Sequence, residues 1–258
     1  MNVRQEPRLI HIPETNSTNR FVQKMIETEQ LASGSIVLAD FQTAGRGIGG
    51  SSWESETGKN LTFSVIYYPD EAPLRAATLG LSSSLHPFVI AEMASLSVKY
   101  TLDKYIPDVT VKWPNDIYCG DKKIAGILIE NTFFQEAITQ SIIGIGLNVN
   151  QTLFLSDAPN PVSMVQVADT EFDRMHIMND FRQVFREQSE RLNNRHFAAI
   201  HADYLQVLYR KTGLHPYRDE QGPFDATIHD IKPTGHLLLK REDGRVSRYA
   251  FKEVSFLT

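Results

Sequence analysis

Cysteine is almost absent: the chain of 258 residues has one, Cys119. A single thiol closes no internal disulfide, so no disulfide framework exists. Long apolar runs are absent as well. No stretch approaches the roughly 18 apolar residues that a membrane-spanning helix needs. The most apolar helical stretch, 85–102, is interrupted by His86, Glu92 and Lys99. The opening residues, MNVRQEPRLIHIPETN, lack the apolar core of a secretion signal. Basic charge is in deficit: 26 Lys and Arg stand against 31 Asp and Glu, a net charge of −5. A chain that grips duplex nucleic acid through phosphates carries a basic face, so this balance argues against a DNA-binding protein. The expectation is a cytoplasmic, soluble protein that engages neither membrane nor DNA.

Several catalytic signatures are missing too. The eight histidines form no H-E-x-x-H and no cluster with cysteine, so no zinc site made of protein ligands is expected. There is no G-x-S-x-G elbow of an esterase. Gly58-Lys59-Asn60 lacks both the upstream Gly and the following Ser or Thr of a P-loop. No internal repeat or low-complexity tract occurs.

What is present reads as a mixed fold. Cap formers at 15–19 precede Phe21, Val22, Met25 and Ile26 at helical spacing, which predicts a short helix ended by Gly34. Residues 35–39 and 61–68 read as strands, with a glycine-dense loop at 45–52 between them. A helical region follows over 73–105, with Pro73 in its first turn and a break at Pro87. Val89, Met93, Leu96 and Tyr100 make one buried stripe there. Strands return at 109–113, 117–119, 123–133 and 141–150, with a hairpin turn at 119–122. Helices are expected near 173–194 and 197–209. After Gly213 short alternating segments are separated by turn signals at 221–223, 233–235 and 243–244, which predicts a small antiparallel β module. The class is α+β: a mixed-sheet domain packed with helices over 1–211, and a module the size of an SH3-like β-barrel over 212–258.

Two motifs carry chemistry on their own terms. Gly45-Arg46-Gly47-Ile48-Gly49-Gly50 matches G-x-G-x-x-G, but turn-rich residues and a strand follow it where a dinucleotide fold needs a helix. The plainer reading is a backbone-rich loop whose N–H groups form an anion nest, with Arg46 adding a bidentate contact. A flexible surface loop is the bland alternative. Lys112-Trp113-Pro114-Asn115-Asp116 places a cation, an amide and a carboxylate in one tight turn. Pairing of 117–120 with 122–126 brings Asp116 beside Lys123. Lys123, Arg46 and Lys112 would then cradle the charge on a transferring phosphoryl group, although a lone hairpin lysine is commonly just solvated. Gly126, Gly144 and Gly146 stand inside strands, where glycine marks either a close approach or a bend.

Five segments occur in one order: Ser17-Thr18-Asn19; Gln42 with Gly45-Arg46-Gly47; Lys112 to Asp116; Lys123-Ile124-Ala125-Gly126-Ile127-Leu128; and 144–150, Gly-Ile-Gly-Leu-Asn-Val-Asn. Together they resemble the biotin–protein ligases. The resemblance is strong over 15–150 and continues into the C-terminal module at 235–239 and 251–256. It implies a class II synthetase-like catalytic domain with a small SH3-like barrel. It also implies a two-step reaction with ATP, Mg²⁺ and biotin, through biotinyl-5′-AMP, to a lysine of a biotin carboxyl carrier protein. By position, Ser17, Thr18, Asn19 and Gln42 would hydrogen-bond biotin, and Gly126, Leu128 and Gly144 would floor its site. Gly45, Arg46 and Gly47 would close over biotin and phosphate. Lys123 would bridge carboxylate and α-phosphate. Trp53, Lys112, Asn115 and Asn148 would serve the nucleotide, alongside Arg46 and Lys123. Asp116 would orient the incoming lysine or a phosphate-bound Mg²⁺.

Two departures are visible. Many members of the family have a second basic residue where this chain has Ile48, which implies weaker retention of the adenylate here. Some carry an N-terminal DNA-binding domain; Ser17 already lies in the first motif, so none is expected and operator binding is not either. The alternative within the superfamily is a lipoate–protein ligase or octanoyltransferase. A monomer or weak homodimer is expected, and Cys119 reads as a structural thiol.

Overall fold

Runs of β-branched and aromatic residues form strands whose alternate side chains face opposite ways. The computed structural model describes residues 6–69, 86–135, 137–156 and 159–257. Its main sheet has seven strands: β1 (Leu9–Thr15), β2 (Ile36–Gln42), β3 (Leu61–Tyr67), β4 (Val109–Lys112), β5 (Asp116–Cys119), β6 (Lys122–Phe134) and β7 (Ala137–Leu147). They lie in the order β1-β2-β3-β7-β6-β5-β4. Only β1 and β2 run parallel; the other neighbours are antiparallel. The sheet is therefore mixed, as the consecutive strands in the sequence require.

Period-two alternation divides the core between the two faces of this sheet. Val37, Ile66 and Ile142 pack with Val22 of helix α1 (Thr18–Thr28). Ile36, Leu38, Phe63 and Val65 belong to the larger core on the other face. That core takes in residues of α2 (Pro87–Leu102), α4 (Arg174–Asn193) and α5 (Phe197–Gln206); a short α3 (Met164–Ala168) precedes α4. Asp173 caps α4, its carboxylate accepting from the N–H groups of Met175 and His176. Pro87 opens α2, where the sequence required a break; the helix start expected at Pro73 lies outside the described residues.

Three local readings differ from the structure. α1 ends at Thr28, and Gly34, at φ 87°, serves the turn into β2 instead. β1 escaped notice because Pro13 interrupts it. Proline removes a ladder donor, and an edge strand tolerates that. The 3₁₀ turn Ile48–Gly50 and α3 are too short to leave a periodic signal.

The C-terminal residues form a second, five-stranded antiparallel sheet. Its strands are β8 (His215–Asp219), β9 (Gly222–Ile231), β10 (Leu237–Arg241), β11 (Val246–Tyr249) and β12 (Ser255–Phe256), in the order β11-β10-β9-β8-β12. Its apolar side, with Tyr217, Ile231, Leu237 and Leu239, is continuous with the large core. Polar contacts also tie it down. The Trp113 indole N–H donates to the Gly235 carbonyl at 2.9 Å. His201 of α5 stands between Glu92 of α2, at 2.6 Å, and Asp230 of β9, at 3.2 Å.

Candidate active site

Register brings the separate sequence motifs side by side. Asp116 of β5 is opposite Gly126 of β6, Gly126 is opposite Gly146 of β7, and Gly146 is opposite Thr62 of β3. One row along, Leu128 is opposite Gly144, and Gly144 is opposite Ser64. Side chains of directly paired residues share a face. The glycines thus open a hollow on the face that carries α1. The hollow is a cavity of about 320 Å³, lined by Ser17, Thr18, Asn19, Gln42, Arg46 and Gly47, among others. Trp53, Asn115, Asp116, Lys123, Gly126, Leu128 and Gly144 line it as well.

Short buried hydrogen bonds set its inner end. Gln42 Oε1 accepts from the Thr18 N–H at 2.8 Å and from the Thr18 hydroxyl at 3.1 Å. The Ser64 hydroxyl lies 2.7 Å from Thr18 Oγ1 and 2.6 Å from Asn19 Oδ1. Asn19 Nδ2 donates to Glu130 Oε2 at 2.7 Å. Ser17, the residue before α1, is buried, yet its hydroxyl makes no capping bond. It remains available to a ligand. A Cβ on Gly144 would come within 3.0 Å of Asn19 Cγ, so glycine there admits the asparagine.

The outer end is cationic. Lys123 Nζ is 2.7 Å from Asp116 Oδ1 and 5.7 Å from the Trp53 ring centre. The backbone of Lys123 is clamped by 159–162: its N–H donates to the Asn160 carbonyl at 2.8 Å, and its carbonyl accepts from the Val162 N–H at 2.9 Å. Trp53 lies across the glycine pair; a Cβ on Gly126 would meet its Cζ3 at 3.0 Å, and one on Gly146 its Cζ2 at 2.7 Å. The in-strand glycines therefore answer to close approach, here by Trp53 and Asn19. Asn115 donates from its amide to the Ile127 carbonyl, which locks the turn beside β6.

Trp53, Asp116 and Lys123 also line a second cavity, of about 690 Å³, with Lys112, Glu54, Tyr118, Asn148, Phe154 and Pro161. Lys112 faces this chamber alone. Its ammonium bonds the Tyr118 hydroxyl at 2.9 Å and sits 4.6 Å from the Tyr118 ring centre and 5.2 Å from that of Phe256. Burial among these rings pulls its pKa below the ordinary lysine range, with Arg210 and Lys123 adding repulsion and Asp116 opposing. The three cations of the expected cradle are thus distributed. Lys123 stands at the junction, Lys112 in the second chamber, and Arg46 turns toward Glu130, at 3.0 Å. Gly45 is at the base of the loop, its carbonyl accepting from the Trp53 N–H at 3.0 Å, and does not line either cavity.

Buried polar atoms without partners are uncommon in folded proteins. Three of those among the described residues gather here: Arg46 Nε, Trp53 Nε1 and Asn148 Oδ1. They are two donors and one acceptor buried around the cavities without a partner in the protein. The carboxylates are already engaged. Asp116 pairs with Lys123, and Glu54 accepts from the N–H groups of Leu155 at 2.9 Å and Ser156 at 2.7 Å. No group of three or more His, Cys, Asp or Glu suited to a metal occurs among the described residues.

Four residues of the site are assigned no role by the sequence. Ser64 and Glu130 are ordinary strand residues in the linear pattern; only cross-strand register reveals them. Phe251 and Lys252 lie in the 251–256 segment of the resemblance, which assigns them no role, and they line the first cavity from the C-terminal module.

The Biotin/lipoate A/B protein ligase family matches residues 12–148. The bifunctional ligase/repressor BirA of Escherichia coli is 39 % identical over 138 residues, which cover 54 % of this chain and 39 % of that protein. The chain therefore spans well under two thirds of that relative's length. A biotin–[acetyl-CoA-carboxylase] ligase of Paracoccus denitrificans is 25 % identical over 251 residues, covering 91 % of this chain and 95 % of that protein. The solved biotin protein ligase of Aquifex aeolicus, in complex with biotin and ATP, shares the fold: TM-score 0.74, 24 % identity, 96 % of this chain and 97 % of that one.

Proposed function

The chain belongs to the biotin/lipoate A/B protein ligase family, and on that premise we propose that it is a biotin–protein ligase. It activates biotin with ATP and passes it to a lysine of a biotin carboxyl carrier protein. The observation that carries the reading is the Lys123–Asp116 pair at the junction of two chambers, with Arg46 Nε, Trp53 Nε1 and Asn148 Oδ1 buried and unpartnered around it. Two linked chambers suit two substrates that must react end to end.

In the first step a biotin carboxylate oxygen attacks the α-phosphorus of ATP. The bond to the bridging oxygen breaks, and pyrophosphate leaves. Two anions have to approach, so a cation between them lowers the barrier electrostatically. Lys123 stands at that junction, held on its backbone by 159–162. Ser17, Thr18, Asn19 and Gln42 bind the neutral ring system of biotin, with Thr18 and Asn19 oriented by Ser64 and Asn19 also by Glu130. Gly126, Leu128 and Gly144 line the floor of its cavity, the two glycines by admitting Trp53 and Asn19 close to the strands. Asn115 and Asn148 serve the nucleotide, with Lys112 in the second chamber. Arg46 exchanges Glu130 for the phosphate or carboxylate as Gly45, Gly47 and the rest of the loop close and exclude water. In the second step the carrier's lysine amine attacks the acyl carbon, AMP leaves, and the amine proton is lost. Asp116, 2.7 Å from Lys123, is placed to orient that amine. The donor set fits a Mg²⁺ that arrives on the phosphates, near Asp116, better than one held by protein ligands; when bound it neutralises phosphate charge.

The lipoate and octanoyl alternative finds no support among the relatives named above. The test is incubation with ATP, Mg²⁺ and either biotin or lipoate, followed by the mass of an apo carrier domain. The reading requires the mass of one biotinyl group and no lipoyl addition. Modification by lipoate alone would overturn it.

A further inference from the structure

We infer that Lys252 of the C-terminal module is a phosphate-contacting residue of this site, supplying from the second sheet a cation that Ile48 does not supply from the loop. The inference rests on the ligase reading. Lys252 and Phe251 line the first cavity. The Lys252 ammonium reaches the Gly49 carbonyl at 3.3 Å, and a side chain at Gly49 would collide with it.

Three features show that this reach is built. Lys252 has φ 72°, a left-handed backbone that a non-glycine residue adopts at a cost. Its neighbours hold it: the Phe251 ring meets Trp113 edge-on at 6.4 Å, and Glu253 accepts from the Ala250 N–H at 2.7 Å across the turn. Trp113 is itself fixed by the Gly235 carbonyl, so the turn that carries Asn115 and Asp116 also anchors the turn that carries Lys252. Finally, the ammonium makes no ion pair with a carboxylate among the described residues, since Glu253 is engaged by backbone. A cation aimed at a glycine loop without a counter-charge is prepared for an anion. In this site that anion is the phosphate of ATP and of the acyl-adenylate, held between Arg46 and Lys252 when the loop closes.

The experiment compares wild type with Lys252→Met, Lys252→Arg and Lys240→Met. Lys240 is an exposed residue of β10 that lines neither cavity. Three quantities are measured: pyrophosphate release as a function of ATP, dissociation of the acyl-adenylate, and binding of biotin alone. One charge-assisted contact predicts about a tenfold faster adenylate release in Lys252→Met and a comparable rise in KM for ATP. Biotin alone should bind unchanged, Lys252→Arg should recover most of the loss, and Lys240→Met should behave as wild type. A change below about threefold in both quantities, or an equal loss of affinity for biotin alone, would overturn the role of Lys252 while the ligase reading stands. Wild-type protein that releases no pyrophosphate would overturn the ligase reading and this inference with it.

Discussion

The two ends of the first cavity are built on different principles. At the inner end Thr18, Asn19, Gln42 and Ser64 are joined by hydrogen bonds of 2.6–3.1 Å, on a helix start and two central strands. At the outer end Arg46, Trp53 and Lys252 stand on a loop and a turn, with polar atoms lacking partners. A neutral ring system is recognised by matched donors and acceptors, and these discriminate only when they cannot rearrange. A polyphosphate is recognised by charge, which tolerates movement and benefits from closure. On the proposed ligase reading, the division of labour follows the chemistry of the two substrates.

The strongest break in that comparison is at the junction itself. On the proposed reading, Lys123→Ala should lower pyrophosphate release by at least about a thousandfold, because it removes the cation proposed to stand between the reacting anions. The pair with Asp116 is partly exposed, so loss of stability should stay below about 1 kcal/mol. Parallel measurement of pyrophosphate release and thermal unfolding checks both. A variant that turns over at the wild-type rate would remove Lys123 from the mechanism.

Next in size is a change at the rigid end that never touches ligand. Ser64 is fully buried and bonds both Thr18 and Asn19. Ser64→Ala leaves the buried Asn19 Oδ1 without the single hydroxyl proton Ser64 can donate, which costs about 1–3 kcal/mol of stability. Biotin affinity should fall about tenfold as Asn19 loses its orientation, with KM for ATP unchanged. Calorimetric titration with biotin alone separates this outcome from a general loss of structure. Equal damage to biotin and ATP binding would mean that the two ends are not independent.

A smaller effect concerns how the C-terminal module is held. Glu92 is only 3 % exposed, and burial raises its pKa although His201 opposes. Burial alone would lower the pKa of His201, but Glu92 and Asp230 outweigh it and the net shift is upward. A histidine raised in the folded state contributes its full stability below the unfolded value of about 6.5 and loses it as pH rises through the folded value. A carboxylate raised by burial loses stability in the same direction. Unfolding temperature should therefore decline as pH rises from about 6.5, where the His201 contribution begins to be lost, and His201→Gln should flatten the decline at a cost of about 1 kcal/mol. Thermal unfolding from pH 6 to pH 9 reads it. An unchanged slope in the variant would assign the pH dependence to other groups.

The two ends also differ in how far the sequence revealed them. Strands, the hairpin that joins Asp116 to Lys123, and the in-strand glycines were legible because period, turn chemistry and backbone freedom are local properties. Ser64 and Glu130 were not, since their roles depend on which strand lies beside which. The direction of Arg46 was not, because Glu130 competes for it. Lys252 lies in a segment of the resemblance, yet its contact with the loop was not legible, for a stronger reason. Its approach to Gly49 depends on how a second sheet packs against the first, and nothing in the order of residues encodes that contact. Local patterns thus mark residues that line the cavity floor and the Lys123–Asp116 pair, and leave the elements above them unmarked.

The smallest expected effect is at Ile48, and it sharpens the comparison most finely. The loop at 45–52 carries one cation, Arg46, which in this structure is bound to Glu130. By resemblance to relatives with a second basic residue there, Ile48→Arg should slow release of the acyl-adenylate. The gain should be modest, about threefold, because Lys252 already brings a cation to the same loop and a second one adds repulsion as well as attraction. Combining Ile48→Arg with Lys252→Met then discriminates. If loop and module supply the same charge to the same phosphate, arginine at 48 should slow release more in the Lys252→Met background than in wild type. Additive effects would place the two cations on different parts of the ligand, and no slowing in either background would show that retention is set by Arg46 and Lys123 alone.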